Sequence, residues 1–540
     1  MTVESPLHLI GTYLSPSIGV GQSRRIETID ERLRRLPLDQ SLLILSEMCF
    51  RVEQAIGDVD ALIELTQRIF PAAVAKRATE ELHRRNGVVP VAPQVLVLLG
   101  IRLLAVSDGT APDRVDDELA RELGGLCLSL TDRLEAEPLN PESMTLEILR
   151  LGLFSSKNDF SDWLTLTCRL FFETLPEMTE HPDWNSPAAT FEATTGLTLE
   201  RFWAITVLQG ILAGESPEDF QFPVTFPDYP LTTEECEKWM HMLSRPVDNA
   251  KELAKIDAQQ LNGWAMSTVW KRPVIDLGSG RGPVLRPRLL QMQAEPAQMF
   301  WHLGDALETG KNEHLKWSRL YGGVVEHLGI KLLRENLPTE SVLAEKDLVA
   351  KWRIPQQNAK RADAAVIGHE SLVVIDFVAR QFTLKTTTDG DFGELIRDLR
   401  KGVTEKLLQV DSTLAYAIKS GFTGRIYPMV VTAGPLPSNH LLAFAIAAEL
   451  DALELQVIGV ARNCMPWIAV DLVNFSLLVR YAKARQEDLA HIIDEWQNSA
   501  FNRSTFRDWH VSVHGDFPDR ARSSEWTKYL NRYSGGPPLT

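Results

Sequence analysis

Asp363 and Asp376 are spaced so that a tight hairpin would set their carboxylates opposite one another. The flanking residues read as two strands, Arg361 to Ile367 and Leu372 to Arg380, joined by Gly368, His369, Glu370 and Ser371, residue types that suit a tight turn. Pairing Ile367 with Leu372 and counting outward brings Asp363 across from Asp376. Opposed side chains in an antiparallel ladder share a face at about 4.5–5.5 Å between Cβ atoms, where like charges repel. Such a pair wants a cation, and a hard divalent ion with oxygen ligands, magnesium or manganese, suits it. Left empty, the same pair is two aspartates at a solvated sheet edge.

A third acid lies upstream. Arg319 to Arg334 reads as a helix in which Glu326 shares a face with Gly322, Gly323, Gly329, Ile330 and Leu333. That face is small and apolar, so it should pack inward, and a carboxylate on it needs a partner because an unpaired buried charge is too costly.

A helix with an inward Glu, then a strand bearing Asp, then a hairpin partner bearing a second Asp resembles the PD-(D/E)XK restriction-endonuclease-like nuclease superfamily. The resemblance covers about 317–471, with Glu326, Asp363 and Asp376 at the three acidic positions. The order of the elements after the hairpin fits it as well: a helix over Asp391–Lys419 containing Gln409, a strand over Arg425–Thr432, a helix over Asn439–Leu450 and a strand over Leu455–Val460. The resemblance implies metal-dependent cleavage of DNA or RNA, with Asp363 and Asp376 as metal ligands and Glu326 completing the site or orienting a water. It also implies a lysine two residues beyond the second acid, to orient the attacking water and stabilise the developing phosphorane charge. Here that residue is Val378. Arg380, on the same strand face as Asp376, and Arg361, across the ladder from Val378, are the geometric substitutes, although an arginine stabilises charge without serving as a base. The rival reading is a non-catalytic member of the same fold that binds nucleic acid or a protein partner, as one component of a bacterial defence assembly.

These residues need elements to position them, and 540 residues suggest about two to four domains. With 44% hydrophobic and 24% charged residues the composition is that of a globular protein. No run approaches the ~20 apolar residues that span a bilayer, and no basic-then-apolar leader opens the sequence, so the chain is read as cytoplasmic. The net charge of −16 opposes phosphate binding, but it is unevenly placed. Residues 271–540 carry 33 Lys and Arg against 31 Asp and Glu, whereas residues 1–270 carry 23 against 41. Local charge steers a polyanion, and Lys351, Arg353, Lys360 and Arg361 lie beside the hairpin.

The acidic half is read as mostly helical over 1–268, with apolar three-and-four spacing in Ile56–Arg85, Asp113–Ala136, Met144–Leu153, Ser161–Leu175, Thr198–Gly210 and Thr233–Ser244. It is a possible protein-partner surface. The nuclease-like α/β domain is read over 269–540, with the boundary near Trp264–Lys271 and a polar tail after Asn502. The five cysteines are scattered, with no C-x-x-C pair, which argues against a zinc site or a disulfide framework.

Val274-Ile-Asp-Leu-Gly-Ser-Gly-Arg-Gly282 also looks like the glycine-rich motif of S-adenosylmethionine-dependent methyltransferases. That motif needs a strand, a glycine turn and a helix whose N-terminus faces the ligand. Pro283 and Pro287 disfavour the helix, so a β-hairpin is expected, Pro273–Leu277 with Pro283–Leu285. His510 and His514 would share a face of a strand, without a third ligand nearby. Phosphate-loop and nucleophile-elbow motifs are absent from the sequence.

Overall fold

The computed structural model describes residues 25–84, 89–135, 160–178, 186–212, 221–223, 229–260, 265–280, 282–307, 311–355, 360–383, 385–389, 391–436, 442–443, 445–502, 504–515 and 525–535. The expected helix Met144–Leu153, Trp264 and Arg281 lie outside these residues. Among those described, no helix is long and apolar enough to cross a membrane.

Among the described residues the acidic half is mostly helical, as its periodicity predicts. The expected helix over 56–85 divides at Pro71 into Val59–Ile69 and Ala72–Arg84. Further helices cover Asp116–Glu135, Leu199–Leu212 and Thr233–Leu243. The division expected at residue 268 does not coincide with a break in packing. One apolar core joins Trp163, Trp203 and Trp239 to Val324, Ile375 and Val431, and a second joins Leu42 and Leu99 to Leu285 and Leu289. Val284–Arg288 is held inside the helical half: Ser46 Oγ donates to the Val284 carbonyl at 2.7 Å, and Arg286 pairs with Glu53 at 2.5 Å. The acidic half is therefore structurally continuous with the C-terminal half.

The expected hairpin is reduced to a single bridge, because the two segments of the glycine-rich string pair mainly with strands of the acidic half, Val274–Asp276 in parallel with Ser244–Pro246 and Gly282–Pro283 antiparallel with Gln221–Phe222. Val274–Asp276 is a strand, Gly282–Pro283 is a short strand, and Val274 bridges Val284 in antiparallel fashion. Asp276 Oδ1 takes the Gly278 amide at 2.9 Å, closing the turn on itself. The next helix begins only at Pro287, as its first residue, where a missing N–H costs nothing. A helix opening directly on the glycine turn is not formed.

The C-terminal half is built on a five-stranded mixed sheet. We label its elements α1 (Lys311–Asn336), β1 (Val342–Ala344), α2 (Glu345–Trp352), β2 (Ala364–Ile367), β3 (Ser371–Val378), α3 (Phe392–Leu399), α4 (Glu405–Lys419), β4 (Arg425–Thr432), β5 (Ile468–Asp471) and α5 (Leu472–Arg485). The strands lie in sequence order, with β1, β2 and β3 antiparallel and β3, β4 and β5 parallel. Every residue of β3 is buried, which explains its unbroken apolar run: a central strand covered on both faces has no polar side to alternate with. Val373, Ile375 and Phe377 meet α1 and α5 residues on one face, while Leu372, Val374 and Val378 meet α3 and α4 residues on the other. Pro428 is tolerated in β4 because β5 joins only from Met429 onward.

Two expectations fail for local reasons. Leu455–Val460 is not a strand; the buried Asp411 carboxylate accepts the amides of Gln456, Val457 and Ile458 at 2.8, 2.9 and 2.8 Å and winds the segment into a turn. The fifth strand is Ile468–Asp471 instead. His510 and His514 lie on a helix, Phe506–His514, capped by Thr505, rather than on a strand.

Between α3 and α4, Arg400–Thr404 forms a π-helical turn, so the helix runs on without interruption from Phe392 to Lys419. Its buried residues follow the spacing Leu395, Leu399, Val403, Leu407, Val410, Leu414, and three successive steps of four are what a widened turn accommodates.

Candidate active site

The hairpin has the expected register. Ile367 pairs with Leu372, Val366 with Val373, Ala365 with Val374 and Ala364 with Ile375. The ladder then stops one residue short of the aspartates. Asp363 turns its amide to the Ile375 carbonyl at 3.1 Å and its Oδ2 to the Phe377 amide at 2.7 Å. A side chain thus satisfies a β3 donor that a longer β2 would have served. Because β2 begins at Ala364 while β3 continues to Val378 beside β4, the last residues of β3 lack a strand neighbour on that edge. The acids gather at this notch.

Asp376 is wholly buried, and among the described residues its carboxylate takes no backbone donor and meets only Lys406 and the Asp363 carboxyl. Facing it is Lys406, on the first turn of α4, whose Nζ lies 2.9 Å from Asp376 Oδ1 as an ion-pair contact. The same Nζ donates to Gln409 Oε1 at 2.7 Å, one turn further along the helix.

Glu326 reaches the notch from the opposite face of the sheet. Gly329, one turn beyond it on α1, lies so close to β3 that a Cβ there would be 2.2 Å from Phe377 Cε1. The glycine lets the helix settle directly on the residue next to Asp376. Burial pushes the Glu326 carboxyl up to about 7, and the negative charges of Asp363 and Glu345 add to the effect against Lys406. Burial likewise raises Asp363, opposed by the Phe377 amide and Lys406. Asp376 is held well above the usual carboxylate range by burial first and by the Asp363 charge second, with Lys406 pulling the other way. Three acids that each feel another's charge, around one lysine, form a single electrostatic unit.

The two arginines have other partners. Arg380 Nη2 bonds Asp398 Oδ1 at 2.8 Å, and Asp398, itself buried, also accepts from the Thr383 amide at 2.7 Å and Thr386 Oγ1 at 2.8 Å. Arg380 therefore anchors the loop after β3 to α3. Arg361 pairs with Glu345 at 3.2 Å, and through Glu345 it borders the acid cluster. The cation at the acids is Lys406, which hairpin geometry could not reveal because it comes from a helix some thirty residues downstream. Its sequence signal was slight: a lysine immediately before the buried Leu407, with Gln409 one turn on.

Among the described residues, no three His, Cys, Asp or Glu side chains are already arranged to hold a metal ion. The donor set nonetheless suits a hard cation. A buried carboxylate whose oxygens meet Lys406 and few other donors, next to a half-buried second carboxylate and a third at the rim, offers oxygen ligands to such an ion. No family model, curated protein or solved structure matches the chain.

Proposed function

We propose that this chain is a divalent-metal-dependent hydrolase of nucleic-acid phosphodiesters, built on a PD-(D/E)XK-like sheet whose basic residue is delivered from a helix. The observation that carries the reading is the meeting of Glu326, Asp363 and Asp376 with Lys406 Nζ, 2.9 Å from Asp376 Oδ1. The mixed sheet, with its hairpin followed by a helix and a parallel strand, supports the same reading.

In this reading Asp363 and Asp376 hold magnesium or manganese. Bound there, such an ion supplies Lewis-acid polarisation of the phosphoryl group and a water made more acidic. Glu326, balanced near neutrality and open to the rim, takes or returns a proton at its carboxylate during attack and departure. The Lys406 ammonium donates to a non-bridging oxygen as negative charge grows there, the role the family gives to the residue two beyond the second acid. Val378 needs no such role and packs in the core beside Val374. Arg361 and Arg380 act by holding Glu345 and Asp398 rather than by touching the phosphate.

One observation favours the rival, a binding protein without catalysis: the contact between Lys406 and Asp376 already neutralises the buried charge without any metal. Incubation of the full chain with single- and double-stranded DNA and RNA, with magnesium or manganese, separates the two. Metal-dependent cleavage that Asp376→Asn abolishes supports the hydrolase. Binding without cleavage, unaffected by chelator, supports the rival.

A further inference from the structure

Asp376 and Lys406 raise a question of occupancy, since a metal and an ammonium would claim the same oxygen. We propose that Lys406 is the resident cation of the empty site, and that a divalent ion enters by displacing it from Asp376 while Gln409 retains it within the site. The inference rests on the metal-dependent reading above and adds that lysine and metal compete.

Three features support displacement. Asp376 is 0% exposed, and among the described residues its oxygens meet Lys406 and the neighbouring Asp363 carboxyl and no backbone donor, so few bonds would have to break for an ion to enter. A hard divalent ion binds carboxylate oxygen at about 2.0–2.6 Å, and it cannot do so at Oδ1 with an ammonium 2.9 Å from the same atom without strong repulsion. The lysine also has somewhere to go: its side chain is 27% exposed, its four-carbon stem is flexible, and Gln409 Oε1 already binds Nζ at 2.7 Å. Released from Asp376 but kept by Gln409, the ammonium stays beside the acids, free to meet an incoming phosphate oxygen. The empty site is thereby kept from being a bare cluster of buried negative charge.

The test is manganese binding by the full chain, read by calorimetry and by electron paramagnetic resonance of free ion, with thermal unfolding measured in parallel. Lys406→Met removes the competitor and keeps the apolar stem. It should bind manganese on the order of tenfold tighter, equivalent to about 1.4 kcal/mol, and saturating manganese should raise its melting temperature more than that of the wild type. A folded Lys406→Met chain with equal or weaker affinity overturns displacement while leaving metal binding itself intact. Absence of binding to either chain at millimolar manganese overturns both displacement and the metal-dependent reading. If Lys406→Met does not fold without metal, Gln409→Ala decides: loss of the second station should weaken wild-type manganese binding several-fold, and unchanged affinity overturns the proposal.

Discussion

Glu326 makes the stability of the metal-free protein fall as the pH rises. Its carboxyl moves from an ordinary value of 4.5 to about 7 in the folded chain. Between these values the folded state holds a proton that the unfolded state has lost, so stability decreases with increasing pH across that window and levels off above it. The full displacement corresponds to about 3.4 kcal/mol. Glu326 is only partly buried, and solvent screening at the rim reduces the expected effect to about 1–2 kcal/mol. Glu326→Gln carries no titrating group, so its urea midpoint should fall less than the wild type's between pH 5 and pH 8 in chelator, by the equivalent of that amount. Asp363 and Asp376 are also raised and will leave a residual slope in both proteins. Parallel stability curves would refute the placement of Glu326 in the acid cluster, because a glutamate pointing to water has nothing to raise it.

Asp376→Asn removes a metal-ligating charge while nearly preserving shape; metal-dependent cleavage should drop at least about 100-fold, roughly 2.7 kcal/mol, in a chain that still folds, as its circular dichroism should show. Arg380→Ala strips Asp398 of its guanidinium but leaves the Thr383 and Thr386 donors, so a loss of about 2–4 kcal/mol in urea unfolding is expected; wild-type stability in this variant would refute the anchoring role. Gly329→Ala forces a methyl to within 2.2 Å of Phe377, and overpacking of about 1–3 kcal/mol should outweigh a helix-propensity gain of up to ~1 kcal/mol. A lowered urea midpoint together with weaker manganese binding is the expected result. Val378→Lys should not raise cleavage, since the position is buried among Leu372, Val374 and α4 residues; faster cleavage would show that the strand position, not Lys406, is the one that counts.

The hairpin was legible because two local signals agreed, a turn-compatible tetrapeptide and apolar runs of matching length, and these fix a register before any tertiary contact forms. Strand β4 and the helix over 392–419 were legible for the same reason. The notch was not, because it depends on where β2 stops, and the stop is made by the Asp363 side chain capping the Phe377 amide. Leu455–Val460 has the composition of a strand, and only the distant Asp411 makes it a turn. Arg380 and Arg361 were sensible by strand geometry, yet long side chains choose partners by what the tertiary fold brings near, and Asp398 and Glu345 lie beyond the reach of strand counting. Lys406 shares that cause: helix-to-sheet packing fixes it, and a single sequence shows only the helix.

The widened turn at Arg400–Thr404 separates two kinds of change that a strand-borne lysine would bind together. On a strand, a shift of one residue turns every side chain to the other face, so cation, acids and sheet core succeed or fail as a unit. Here deletion of one residue from that turn would restore ordinary winding, and because the widened turn already absorbs the extra residue the helices on either side would keep their buried faces aligned. The buried Leu407, Val410 and Leu414 would keep α4, and Lys406 with it, in place. Arg397 and Asp398, and with them the anchor of the loop after β3, would keep their side of the helix as well. A one-residue change of length at this turn is therefore tolerated without moving the cation, the loop anchor or the sheet beneath them.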